Sequence, residues 1–136
     1  MYRKEFTYTN LNGEEKTVQL LFNLSLKEAR GFIAKYTGGK IEEKEINKAF
    51  TKLIDSKDYE KMLELIEDLM LCSYGEKSED GEHFIKNDDI RKNFSESYTF
   101  AEFFEALVMD NDELTNFIQH VIPSKKDKKV TASVIN

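Results

Sequence analysis

Cys72 is the only cysteine, so the chain can form neither an intramolecular disulfide nor a thiolate metal cluster, and this fits a reducing compartment. Met70 and Leu71 beside it continue an apolar helical run, which makes Cys72 a core filler rather than a reactive thiol. No apolar stretch approaches the roughly 20 residues needed to cross a bilayer. Met1-Tyr2-Arg3-Lys4-Glu5 lacks the apolar run of a signal peptide. The expected location is therefore the cytoplasm, with no membrane partner. Acidic residues outnumber basic ones, 26 to 20. A formal net charge of -6 disfavours a nucleic-acid backbone as partner, because such binding needs a basic face that displaces counterions. The one concentrated basic stretch, Lys125-Lys126-Asp127-Lys128-Lys129, lies near the end of the chain and reads as a solvated tail.

The small stock of special residues excludes most familiar chemistry. The six glycines fall in no phosphate loop, dinucleotide fingerprint or nucleophile elbow. His83 and His120 sit on different elements and outside any pattern that would place two metal ligands on one helical face. Asp110-Asn111-Asp112-Glu113 lacks the alternating ligands and glycine of a calcium loop and is explained by helix capping. No cofactor or metal is expected, and the reading is of a non-enzyme.

What is present is a pattern of elements. At 136 residues, with 40% hydrophobic residues, the chain has the length and apolar content of one domain, expected over 1–123, followed by a flexible polar tail over 124–136. Residues 1–24 read as a β-hairpin: Phe6, Tyr8, Val18, Leu20 and Phe22 alternate with polar residues around Asn10-Leu11-Asn12-Gly13. Residues 25–123 read as helical. Ser25 with Glu28 forms a capping box that opens a helix to Tyr36, ended by Gly38-Gly39. A second helix is expected over Glu42 to Ile54. The third, Asp58 to Cys72, is apolar around so much of its circumference that it should be central, with Tyr74-Gly75 ending it.

A polar turn over Glu76–Glu82 and a short return at His83-Phe84-Ile85 follow, and Asp88-Asp89 start another helical turn. Two further helices are expected from Thr99 with Glu102 and from Asp110 with Glu113 as capping boxes, the first stapled by Tyr98 and Phe103, the second by Met109 and Leu114. Pro123, the sole proline, follows the last helix. The expected fold is α+β, mainly helical: a hairpin packed on five or six helices.

The run Tyr74-Gly75-Glu76-Lys77-Ser78-Glu79-Asp80-Gly81-Glu82-His83-Phe84-Ile85, then Phe94, the aromatic helix Tyr98 to Val108, and Phe117-Ile118 through Ile122-Pro123 resembles tail assembly chaperones of siphophages and prophages of Gram-positive bacteria. The resemblance rests on about half of the chain. It implies a protein that binds the tape measure protein and recruits tail tube subunits while the tail is built, and that is absent from the finished virion. It also implies a short form and a frameshifted longer form. An adaptable apolar surface with an acidic exterior suits such a client, with self-association along it. Phe94, Tyr98, Phe100, Phe103, Phe104 and Leu107 exceed what one face of a short helix buries, and they are the candidate partner-binding residues. Two other readings are a minor structural or connector protein of the virion, separable by its presence in purified particles, and an acidic inhibitor of a DNA-binding host protein. Lysines interspersed among the acidic residues speak against the inhibitor.

Overall fold

Two strands open the fold because period-two alternation gives them one apolar face. In the computed structural model, which describes residues 1–38, 45, 48–49, 52 and 58–122, β1 (Tyr2–Thr9) pairs antiparallel with β2 (Glu15–Phe22), from Tyr2 opposite Phe22 to Thr9 opposite Glu15. The loop between them is closed by Asn10, whose Oδ1 accepts the N–H groups of Asn12 and Glu14, each at 2.9 Å. Gly13 takes a φ of 78°, a left-handed conformation that a side chain would strain. Phe6, Tyr8, Val18, Leu20 and Phe22 share the inner face as the alternation requires, and Tyr2 joins them.

Helix α1 (Leu26–Thr37) starts at the expected capping box: Ser25 Oγ accepts from Glu28 N–H at 3.2 Å, and Glu28 Oε1 accepts from Ser25 N–H at 2.9 Å. It ends on Gly38 in the left-handed region, with Ala29, Phe32 and Ile33 turned inward. Helix α2 (Tyr59–Ser73) is capped by Asp58, whose Oδ1 accepts from Lys61 N–H at 3.2 Å. Leu65, Ile66, Leu69 and Met70 place it in the core, the position expected of it. The helix expected over Glu42 to Ile54 lies outside the described residues, apart from isolated positions, as does the tail expected over 124–136.

The segment after α2 differs from expectation. Instead of a turn and an isolated return, β3 (Tyr74–Lys77) and β4 (Phe84–Ile85) form a second hairpin, and β3 pairs with β2 through Leu21 opposite Gly75 and Phe22 opposite Tyr74. The sheet is four-stranded in the order β1-β2-β3-β4. Gly75 permits this arrangement: a Cβ there would meet Phe84 Cζ at 2.5 Å and Lys86 Cγ at 2.8 Å, so the Phe84 ring lies across the glycine on the outer face that Leu21 shares. Leu21 is thereby buried on the side of the sheet away from the main core.

Three short helices complete the described chain: α3 (Asp88–Ser95), α4 (Tyr98–Val108) and α5 (Asn111–Val121). Asn87, not an aspartate, caps α3, its side chain accepting from Ile90 N–H at 2.8 Å. Helix α4 begins two residues earlier than expected: Ser97 rather than Thr99 is its cap, because Ser97 Oγ both accepts from Phe100 N–H at 3.1 Å and donates to the Phe94 carbonyl at 2.6 Å, joining two helices with one hydroxyl. Asp110 caps α5 as expected, but Met109 is 79% exposed and makes no staple. Leu24 N–H reaches the Val121 carbonyl at 3.0 Å, fastening the end of β2 to the end of α5.

Candidate partner-binding surface

An aromatic cluster built by the inner sheet face and helices α3 to α5 decides which of the candidate residues remain at the surface. Phe22 is its centre, with ring centroids of Phe117 at 5.2 Å, Phe103 at 5.7 Å and Phe94 at 5.9 Å. Phe94 stacks flat on Tyr74 at 3.7 Å, and Phe6 meets Phe103 edge-on at 5.1 Å. Such edge and stacked pairs add to the apolar area each ring removes from water. Tyr2 closes the cluster against Phe117 and donates its hydroxyl to Glu113, and burial together with that carboxylate pushes the phenol well above its usual range.

The six candidate residues fall into three groups. Phe94, Phe103 and Leu107 are buried in the core, so the structure removes them from the surface at which a partner would arrive. Phe100 and Phe104 lie next to that buried stripe and are only half-buried; their spacing of four puts them on one side of α4, with Val108 continuing the line. Phe100 leans edge-on against Phe94 at 5.3 Å, so the stripe stands on the core rather than apart from it. Tyr98, 39% exposed, lies on the opposite side of the helix, near Tyr8 at 6.4 Å. A hydrogen bond to Glu102, one turn on, raises the Tyr98 phenol.

Sequence reasoning missed Met109. Assigned to a hydrophobic staple, it instead projects at the end of α4. Its flexible, polarisable side chain is of the kind that adapts to irregular apolar partners. The signal available was its place just before the Asp110 cap, where either a staple or an exposed corner satisfies the pattern.

Ionisable side chains occupy structural positions. Burial pushes the Cys72 thiol up to about 11, which keeps it protonated and weakly nucleophilic near neutral pH. Lys86 Nζ reaches Glu28 Oε2 at 2.7 Å and the Asn23 carbonyl at 3.0 Å, bridging the second hairpin to the start of α1. His83 is exposed, and His120 holds the Asn116 carbonyl in the last turn of α5 at 2.7 Å from Nδ1. Among the described residues, no three of His, Cys, Asp or Glu are grouped to hold a metal ion. A cleft of about 220 Å³ between β2 and the junction of α3 with α4 is lined by Val18, Leu20, Tyr74, Ile90, Phe94 and Ser97 among others. No helix among the described residues is long and apolar enough to cross a membrane.

A half-buried aromatic stripe beside a packed core suits recognition of another protein better than small-molecule chemistry. The chain belongs to the phage tail assembly chaperone family, whose model matches residues 1–134. That match takes in the N-terminal hairpin as well as the second half, on which the residue-level resemblance rested. No curated protein and no solved structure matches the chain.

Proposed function

We propose that this chain binds the tape measure protein and recruits tail tube subunits during tail assembly. It acts in the host cytoplasm without catalysing a reaction and leaves before the virion is complete. The observation that carries this reading is the stripe Phe100–Phe104–Val108 on α4, apolar and partly exposed, with the exposed Met109 at its end. Residues spaced by four offer a shallow ridge against which an amphipathic helix can lay its own apolar face. Phe94, Phe103 and Leu107 serve beneath it as the support that holds Phe100 in place. Glu105, beside the stripe on the same helix, keeps the surroundings acidic and favours a client segment with basic flanks.

The test is co-expression with the tape measure protein encoded in the same genome. The client is expected in the soluble fraction only when this chain is present, and the two are expected to co-elute on sizing. A client whose solubility and elution ignore the chain contradicts the proposal. Recovery of the chain in stoichiometric amounts from purified virions contradicts its departure and makes it a structural component.

A further inference from the structure

Alternation puts Arg3, Leu21, Gly75, Lys77 and Phe84 together on the outer face of the sheet. Arg3 stands opposite Leu21, Leu21 opposite Gly75, and Lys77 opposite Phe84, so an apolar floor runs between two cations. Gly75 has no side chain to interrupt that floor, and the Phe84 ring lies across it. The result is a groove of about 420 Å³, lined by Arg3, Leu21, Lys77, Glu82, His83 and Phe84 among others.

One wall is the turn from Ser78 to His83. Ser78 N–H donates to the His83 carbonyl at 2.8 Å, His83 N–H donates to Ser78 Oγ at 3.0 Å, and Asp80 Oδ1 accepts from Glu82 N–H at 3.0 Å. A wall held by its own hydrogen bonds leaves less to be ordered when a partner arrives.

Charge selects the occupant. The chain as a whole carries -6, yet this groove is lined by Arg3, Lys77 and His83 and by one carboxylate, Glu82. All three basic side chains are exposed, and none has a hydrogen-bond or ion-pair acceptor among the described residues. An unpaired guanidinium and an unpaired ammonium on either side of an apolar floor complement carboxylates that flank an apolar side chain. A nucleic-acid backbone fits less well, because its affinity comes from a track of cations along successive phosphates, and here Glu82 interrupts a short cluster.

We infer that this groove docks an acidic segment of a second partner protein, its carboxylates meeting Arg3 and Lys77 and one apolar side chain seated over Leu21 and Phe84. Helix α4 packs on the inner face of the same sheet through Phe103, so the groove and the α4 stripe lie on opposite sides and can be occupied together. The inference does not rest on the client reading.

Fluorescence anisotropy with a short labelled peptide, aspartates on both sides of a single leucine, tests it. The wild-type chain is expected to bind this peptide at least about tenfold tighter than a version with asparagines for aspartates. A version with serine for leucine should also bind about tenfold more weakly. The Arg3→Glu, Lys77→Glu double variant, its folding checked by circular dichroism, should lose the aspartate peptide and bind a version with lysines in its place. Should it fail to fold, Arg3→Gln and Lys77→Gln serve instead, each expected to weaken binding about two- to fivefold. Absence of binding, equal binding of the aspartate and asparagine peptides, or variants that bind as the wild type does overturn the inference. So does preference for a single-stranded oligonucleotide over the aspartate peptide. The folded double variant is expected to retain the tape measure protein as the wild type does; its loss would make the groove part of the client site and overturn a second partner.

Discussion

Lys86 Nζ lies 2.7 Å from Glu28 Oε2, joining the residue after β4 to the first turn of α1. The lysine is largely shielded and also donates to the Asn23 carbonyl at 3.0 Å, so it answers several acceptors where β2, α1 and the second hairpin meet. Replacing it with methionine leaves those acceptors short of a donor. Lys86→Met should cost about 1–3 kcal/mol in urea unfolding.

The same pair carries a pH signature. Burial raises the Glu28 carboxyl, but Lys86 and the Ser25 N–H and hydroxyl outweigh it and hold the carboxyl below its ordinary value. A carboxyl lowered in the folded state contributes stability that is full above the unfolded pKa and is lost as pH falls through the folded one. Unfolding measured from pH 7 downward should therefore lose stability through the acid range in the wild type. Glu28→Gln should flatten that part of the profile, and an unchanged slope would remove Glu28 from the account.

Gly75→Ala tests the close approach beneath Phe84. The added methyl would sit 2.5 Å from Phe84 Cζ, so the ring must move to admit it. Thermal unfolding should show a loss of about 1–3 kcal/mol. The loss should shrink in the double variant with Phe84→Ala, since the two residues share one contact.

Cys72 should be slow to alkylate. With its thiol pushed up to about 11 by burial, iodoacetamide at pH 8 should modify the native chain far more slowly than the urea-unfolded chain. Equal rates would mean that this part of α2 opens readily.

Much of the fold was legible because its signals are local. The hairpin followed from alternation around Asn10 to Gly13, and the starts of α1 and α5 from Ser25 and Asp110, whose side chains do accept the N–H groups that the capping rules assign. The second hairpin was not legible. Tyr74–Lys77 is short and half polar, and it becomes a strand only because Leu21 and Phe22 stand ready to pair with it. Ser97 displaced Thr99 as a cap for a similar reason: its hydroxyl also closes α3, a partnership between helices that a local pattern does not encode.

Within the candidate surface, composition marked an excess of aromatics but not their division. That division depends on the sheet. Phe22 and Phe6 claim Phe103, and Phe22 with Tyr74 claims Phe94, leaving Phe100 and Phe104 at the margin and Tyr98 on the far side of α4. Phe103→Ala should accordingly cost about 3–5 kcal/mol. Phe104→Ser should cost less, about 1–3 kcal/mol, since its ring is only partly buried at the edge of the core.

The most direct test of the account is a pull-down of the tape measure protein by the Phe100→Ser, Phe104→Ser double variant, compared with the wild-type chain at matched folded concentrations verified by circular dichroism. The account predicts that the wild type retains the client and the folded double variant retains at least about tenfold less. Full retention by the folded double variant would contradict the α4 stripe as the binding surface, and no retention by the wild type would contradict the client itself.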